Sequence, residues 1–219
     1  LYVDKTSYIE LLDRYAPYQF FIRPRRFGKS LFISTLENYY DINKKDKFEE
    51  LFGDLYIGKN PTEKRNKFLV WKISFAGIDA GHGEEELRKS FNSKVILSAI
   101  GFLNQYSNLL GENTIPKEVD SAEMVVQYIS LLASKIKLPV FVLIDEYDNF
   151  ANELITGGKQ STYESILHGE GFVKVFYKAI KDATMDNFNR IFMTGVSPIM
   201  LDDLTSGFNI TMNYTLDRD

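Results

Sequence analysis

The 219-residue chain contains no cysteine and only two histidines, His82 and His168. Disulfides and thiolate zinc sites are thereby excluded, and two imidazoles are too few to build a zinc centre. A basic excess is also missing: 26 Lys and Arg stand against 30 Asp and Glu, a formal charge of -4. No overall electrostatic footprint for nucleic acid follows from such a balance. Long hydrophobic runs are absent as well. The longest, residues 138–144, has the length of a strand and contains Pro139, far short of the roughly 18 apolar residues that cross a bilayer. These absences predict a soluble chain with no membrane partner, of a composition suited to a reducing cytoplasm. What is present is apolar: 44% hydrophobic and 14% aromatic residues can fill the core of one α/β domain.

The most informative stretch is Arg23-Pro24-Arg25-Arg26-Phe27-Gly28-Lys29-Ser30. It follows the strand-like Tyr18-Gln19-Phe20-Phe21-Ile22 and precedes Leu31, Phe32, Thr35, Leu36, Tyr39 and Tyr40 at helical spacing. A phosphate-binding loop (Walker A) needs converging backbone N–H groups, a Lys that reaches the β and γ phosphates, and a hydroxyl for Mg²⁺. Gly28, Lys29 and Ser30 supply that ending, at the start of a helix whose open donors and positive dipole end favour an anion. The full pattern GxxxxGK[ST] has Gly where this chain has Arg23, so Arg23 and Pro24 must enter the loop by another backbone path. Arg25 and Arg26 either add cationic donors for phosphate or are solvated arginines of a surface turn.

A second constellation turns the loop into a mechanism. Val140-Phe141-Val142-Leu143-Ile144 is apolar on both faces, as in the middle of a parallel sheet, and ends in Asp145-Glu146. In such sheets ligands bind at the carboxyl edge, where Asp145 can face Mg²⁺ through water and Glu146 can polarise the attacking water (Walker B). Ser30 and Asp145 are the expected metal ligands, and residues 25–30 with Asp145 the expected nucleotide contacts. Asp148 either shares the metal or begins the next helix; the helix is preferred. Thr194, ending the strand centred on Ile191-Phe192-Met193, stands where a hydroxyl would touch the γ phosphate, with Ser197 as the alternative. Asn43-Lys44-Lys45-Asp46 matches the guanine-reading pattern but precedes the Asp-Glu strand in a charged helical segment, and is dismissed.

The rest of the pattern alternates helices and strands. Asp4 or Thr6 caps a first helix with Tyr8, Leu11, Leu12 and Tyr15 on one face, closed by Pro17. A short charged helix at 44–52 ends at Gly53, a polar connector spans 59–67, and a second strand spans 68–75. A Gly-rich turn at 77–83 leads into a long helix opened by Glu84-Glu85-Glu86 and running to about residue 110. Ser121 caps another with Met124, Val125, Tyr128, Ile129, Leu131 and Leu132 on its apolar face. Helices interrupted at 157–162 reach about residue 183, and 208–216 alternates like a fifth strand. Such an order implies a mostly parallel sheet covered on both faces.

Tyr2-Val3-Asp4-Lys5-Thr6, the loop at 23–30, Leu143-Ile144-Asp145-Glu146-Tyr147-Asp148, Thr194-Gly195-Val196-Ser197-Pro198 and Ser206-Gly207-Phe208-Asn209-Ile210 together resemble the bacterial AAA-ATPase-like family. The resemblance spans nearly the whole chain, and its loop is similar to this one, Arg23 included. It implies a single P-loop NTPase domain over 1–219, an α/β three-layer sandwich of the ASCE/AAA type with strand order 5-1-4-3-2. It implies ATP and Mg²⁺ as cofactors, Lys29, Glu146 and Thr194 as the residues of hydrolysis, and the Thr194 strand between the other two. It also implies a fragment: members often continue into a helical region and a PD-(D/E)XK nuclease-like effector, with no such signature in these residues. A switch that holds ATP without turnover is the rival reading, and a nucleic-acid adaptor using the basic loop a weaker third.

Overall fold

A computed structural model of the chain describes residues 3–200 and the backbone of residues 211–213. The strands β1 (Tyr18–Ile22), β2 (Leu69–Ser74), β3 (Val140–Asp145), β4 (Phe188–Gly195) and β5 (Thr211–Asn213) form one sheet in which every pair is parallel. Their order is β2-β3-β4-β1-β5, which reads 5-1-4-3-2 from the β5 edge. The strand ending in Thr194 therefore lies between the strand feeding the Arg-rich loop and the strand ending in Asp145.

Parallel neighbours need crossovers, and the intervening segments supply helices on both faces. On one face lie α1 (Ser7–Arg14), α2 (Lys29–Tyr40), α3 (Phe48–Phe52) and α4 (Tyr56–Lys59), packed through Ile9, Ile33, Leu36 and Tyr40 onto Val70, Phe141, Leu143 and Phe192. On the other lie α5 (Glu84–Gln105), α6 (Ser107–Leu110), α7 (Ala122–Ile136), α8 (Asn149–Thr156), α9 (Gln160–Leu167) and α10 (Phe172–Ala183), over Trp71, Ile73, Val142, Ile144, Ile191 and Met193. The alternation of side chains along each strand divides the two cores. It also fixes which way the strand ends point: Asp145 continues the series Phe141, Leu143, and Thr194 follows Phe192 by two, so both belong to the face that carries α2.

Local chemistry explains the helices. The three glutamates opening α5 complement the positive end of its dipole, and Leu87, Phe91, Val95, Ala99 and Phe102 recur every three or four residues on its buried side. Phe91 sits in an aromatic cluster with Phe75, Phe150, Phe172 and Phe176, ring centroids 4.7 to 5.7 Å away. Each such ring contributes about 1.5–3 kcal/mol through burial. Ser121 caps α7, its hydroxyl accepting from Met124 N at 3.4 Å.

The structure corrects four local expectations. The buried residues of α1 are Ile9 and Leu12, while Tyr8 and Tyr15 are 44% and 45% exposed, because the helix packs by only one narrow stripe. Neither Asp4 nor Thr6 caps α1 with its side chain. Asp4 instead accepts from Thr6 N and from Tyr56 N, and Thr6 Oγ1 from Ile57 N, so this segment caps α4 across space. The charged stretch at 44–52 is divided into a 3-10 turn, Ile42–Lys47, and α3, because the Asp41 carboxylate accepts from Asn43 N. The long helix stops at Gln105 rather than about 110, where the hydroxyl of buried Tyr106 donates to Asp41 and accepts from Val70 N. Of the fifth strand, 211–213 is described; the remainder of 208–216, with the run 206–210 and Tyr2, lies outside the described residues. Among the described residues no helix is long and apolar enough to cross a membrane.

Candidate functional site

The loop between β1 and α2 continues the sheet for one residue, Arg23 N donating to Gly195 O at 3.2 Å. Arg23 is not among the residues with positive φ, so the backbone there makes no demand that only glycine meets. The guanidinium folds back, donating to Ile22 O and lying 5.0 Å from the Phe21 ring centroid. The tight turn falls later. Arg26 has φ 67° and Gly28 φ 79°, both in the left-handed region, which costs an arginine roughly 1 kcal/mol or more.

Gly28 ends the loop as the N-cap of α2, with no side chain capping the helix and no acidic residue in its first turn. The first amide groups of α2 are consequently open to an anion. Lys29 is buried, with Nζ donating to Arg23 O at 2.9 Å and Pro24 O at 3.0 Å. Its charge thus rests on two carbonyls of its own loop. Ser30, Arg25, Arg26 and Phe27 are exposed around it, and the Lys5 ammonium lies 5.6 Å from the Phe27 ring centroid.

Asp145 ends β3 almost fully buried, and its Oδ1 accepts the Thr194 hydroxyl at 2.5 Å. Thr194 is itself wholly buried, so the structure spends its hydroxyl on the neighbouring carboxylate. Among the described residues no donor is seen for Oδ2, and the side chain belongs to the face where α2 begins. Neighbouring strands lie about 4.8 Å apart, so the ends of β1 and β3, with β4 between, are about 10 Å apart. A triphosphate with its metal bridges such a gap.

Glu146 follows with φ 54°, a left-handed residue that is neither glycine nor asparagine. Three bonds hold it there from both sides: Asp145 O accepts from Phe75 N, Tyr147 N donates to Thr194 O at 3.0 Å, and Asn149 N donates to Glu146 O. Tyr147 is wholly buried against Phe20, its hydroxyl donating to Ser197 O at 2.6 Å, and burial, reinforced by the Asp148 charge, pushes its phenol well above the ordinary tyrosine range. Gly195 allows this approach, since a Cβ there would lie 2.4 Å from the Tyr147 ring.

Asp148 does begin α8, yet it makes no side-chain cap there. Its carboxylate accepts from Val196 N at 3.0 Å, Ser197 N at 2.6 Å and Asn152 Nδ2 at 2.8 Å. Ser197 is occupied too, its hydroxyl donating to Asn152 Oδ1. The sequence singled out Asp148 and Ser197 but gave no sign of this pairing, which needs two segments about fifty residues apart to meet. Asn43 and its neighbours sit at the opposite, amino edge of the sheet, beside the bridge between Asp41 and Phe68. A groove of about 450 Å³ between α2 and α3 takes in Leu31, Ser34 and Asn38 but none of Gly28, Lys29, Ser30, Asp145 or Glu146.

A family model described as predicted AAA-ATPase matches residues 1–205, which include the whole of this arrangement. The chain belongs to the predicted AAA-ATPase family. This AAA-ATPase-like chain is also 27% identical, over 216 residues, to an uncharacterized protein in the vnfD 5′ region of Azotobacter chroococcum mcd 1. The match covers 99% of the AAA-ATPase-like chain and 37% of that protein, so the chain spans well under half of its relative's length. No solved structure matches.

Proposed function

We propose that the chain binds ATP with Mg²⁺ at the loop of residues 23–30 and hydrolyses it, driving or regulating an effector elsewhere in a longer protein. The observation that carries this reading is the placement of Asp145, bonded to Thr194, on the same sheet face as the uncapped start of α2 with its buried Lys29. Family membership supports nucleotide use. The strand order, with β4 between β1 and β3, supports the ASCE/AAA class.

Bound Mg-ATP would supply the phosphoanhydride bond and a Lewis acid. Lys29 would exchange its two loop carbonyls for phosphate oxygens, and the backbone amides of residues 26–30 would donate to the phosphates. The Ser30 hydroxyl and the Asp145 carboxylate would hold the metal, directly or through water. The donor set fits Mg²⁺, which commonly takes one or two protein oxygens with phosphate and water completing the octahedron. It fits no all-protein cage, because among the described residues no three His, Asp or Glu group around one point.

Glu146, half-buried just beyond the strand end, orients and deprotonates the attacking water. Thr194 acts through Asp145, fixing that carboxylate by the 2.5 Å bond, in place of direct contact with the γ phosphate. Arg25 and Arg26, exposed at the loop, serve as phosphate or neighbouring-domain contacts. The relative's greater length supports an attached effector, and the family resemblance makes a nuclease-like domain the first candidate.

One preparation assayed for both ATP binding and hydrolysis tests the reading. Glu146→Gln should retain Mg-ATP binding and lose turnover by roughly 10²- to 10⁴-fold, the scale of a positioned general base. Asp145→Asn should weaken Mg²⁺ dependence itself. Binding without turnover in the wild type would leave a nucleotide-dependent switch, and turnover that survives Glu146→Gln would remove Glu146 from the mechanism.

A further inference from the structure

Glu146 occupies a conformation that an L-residue other than glycine adopts at a cost of about 1–3 kcal/mol, and such strain persists only where the surroundings over-determine it. The surroundings here are one short segment. Thr194 engages the residue before Glu146 through the Asp145 carboxylate, and the residue after it through Tyr147 N. One residue further on, Asp148 takes the amides of Val196 and Ser197, while Tyr147 and Asn152 bond to the carbonyl and hydroxyl of Ser197. The two segments, 145–148 and 194–197, are thus laced together at every position around Glu146.

Asp148 is the centre of that lacing. It is 1% exposed, and its partners on the far side are two backbone amides that have no other described acceptor. A buried carboxylate accepting several N–H groups forms strong, directional bonds, and removing it takes from the Val196 and Ser197 amides their described acceptor. Gly195 lies between the two halves, and a Cβ there would come within 2.7 Å of Asp148 Oδ1, so the segments are also in van der Waals contact.

We infer that Asp148 is a positioning residue for hydrolysis: it holds the segment after β4 against the Glu146 turn, keeping Glu146 in its left-handed conformation and making the two segments move as one. The inference rests on the ATPase reading. Asp148, its carboxylate engaged by Val196 N, Ser197 N and Asn152 Nδ2, takes no share of phosphate or magnesium in this role. The Lys29 loop meets this lacing through Arg23 N to Gly195 O, and the described partners of Asp148 are Asn152, Val196 and Ser197, outside that loop, so nucleotide binding is largely independent of Asp148.

The test is Asp148→Asn, which keeps the shape and one acceptor oxygen but removes the charge and half the acceptors. ATP affinity, measured by calorimetry with Mg²⁺, should stay within about threefold of wild type. Turnover should fall about 10- to 100-fold, a loss in kcat rather than KM. Amide exchange should accelerate at 146–149 and 195–197 together, with the loop at 23–30 unchanged. Asn152→Ala, which leaves the carboxylate but removes its support, should move the same readouts less and serves if Asp148→Asn folds poorly. A folded Asp148→Asn protein with wild-type kcat, or with exchange raised in only one segment, overturns the inference while leaving the ATPase reading intact. No ATP binding by the wild type would instead overturn that reading and this inference with it.

Discussion

The Thr194 hydroxyl on β4 donates to Oδ1 of Asp145 on β3 at 2.5 Å, and both side chains are buried at the carboxyl edge of the sheet. The bond leaves Asp145 one oxygen for other work and fixes where it points. Replacing Thr194 by Val keeps the shape and removes the donor. The folded state should lose about 1–3 kcal/mol, the cost of a buried acceptor left unpaired, read from the shift in urea midpoint. Mg²⁺ dependence of ATP turnover should weaken as well. Wild-type metal dependence in a folded Thr194→Val protein would detach Thr194 from the site.

Lys29→Ala should remove most ATP affinity, at least about tenfold, because the charge-assisted contacts of the ammonium have no substitute at that position. The fold should tolerate the change, since the Arg23 and Pro24 carbonyls that Lys29 now satisfies stand in an exposed loop. Calorimetric titration alongside a thermal melt separates the two effects. Unchanged affinity would mean that this loop is not where phosphate binds.

Gly195→Ala should destabilise by about 1–3 kcal/mol through overpacking, because the new methyl meets a Tyr147 ring locked by Phe20 and by its bond to Ser197. Denaturant unfolding checks this. A stability equal to wild type would show that the Tyr147 turn is looser than its bonds imply.

The anchoring of the N-terminal segment to α4 should depend on acid. Burial tends to raise the Asp4 carboxyl, but the Tyr56 amide, the Thr6 hydroxyl and amide, and the nearby Lys59 outweigh it and hold the group below its ordinary value of 3.8. A carboxylate whose folded pKa is depressed stabilises fully above the unfolded pKa and loses that contribution as pH falls through the folded one. The difference in Tm between wild type and Asp4→Asn should therefore be constant at neutral pH and shrink below about pH 4. A difference that persists in acid would assign the effect to shape rather than charge.

Much of this arrangement was legible beforehand. Gly28, Lys29 and Ser30 after an apolar pentapeptide announce a strand, a loop and a helix, because loop chemistry and hydrophobic period are local properties. The two-sided apolar run before Asp145 announced a central strand for the same reason. The stripe of α1, the early stop of α5 at Gln105 and the cap that Asp4 gives to α4 were not legible, since each depends on a partner more than thirty residues away.

The sequence by itself determined which chemistry is available: a lysine, a hydroxyl, two adjacent carboxylates and a threonine, each at the end of a predictable element, with no thiol to complicate it. Tertiary structure alone decided how those groups are used. Side-chain alternation sets Asp145 and Thr194 on one sheet face, but their bond exists only because β3 and β4 are neighbours in register. Likewise, nothing in the letters Asp-Glu-Tyr-Asp shows that Glu146 sits left-handed or that Asp148 reaches Val196 and Ser197. A strained backbone is a property of the contacts that enforce it, and those contacts form only when the strand ends meet.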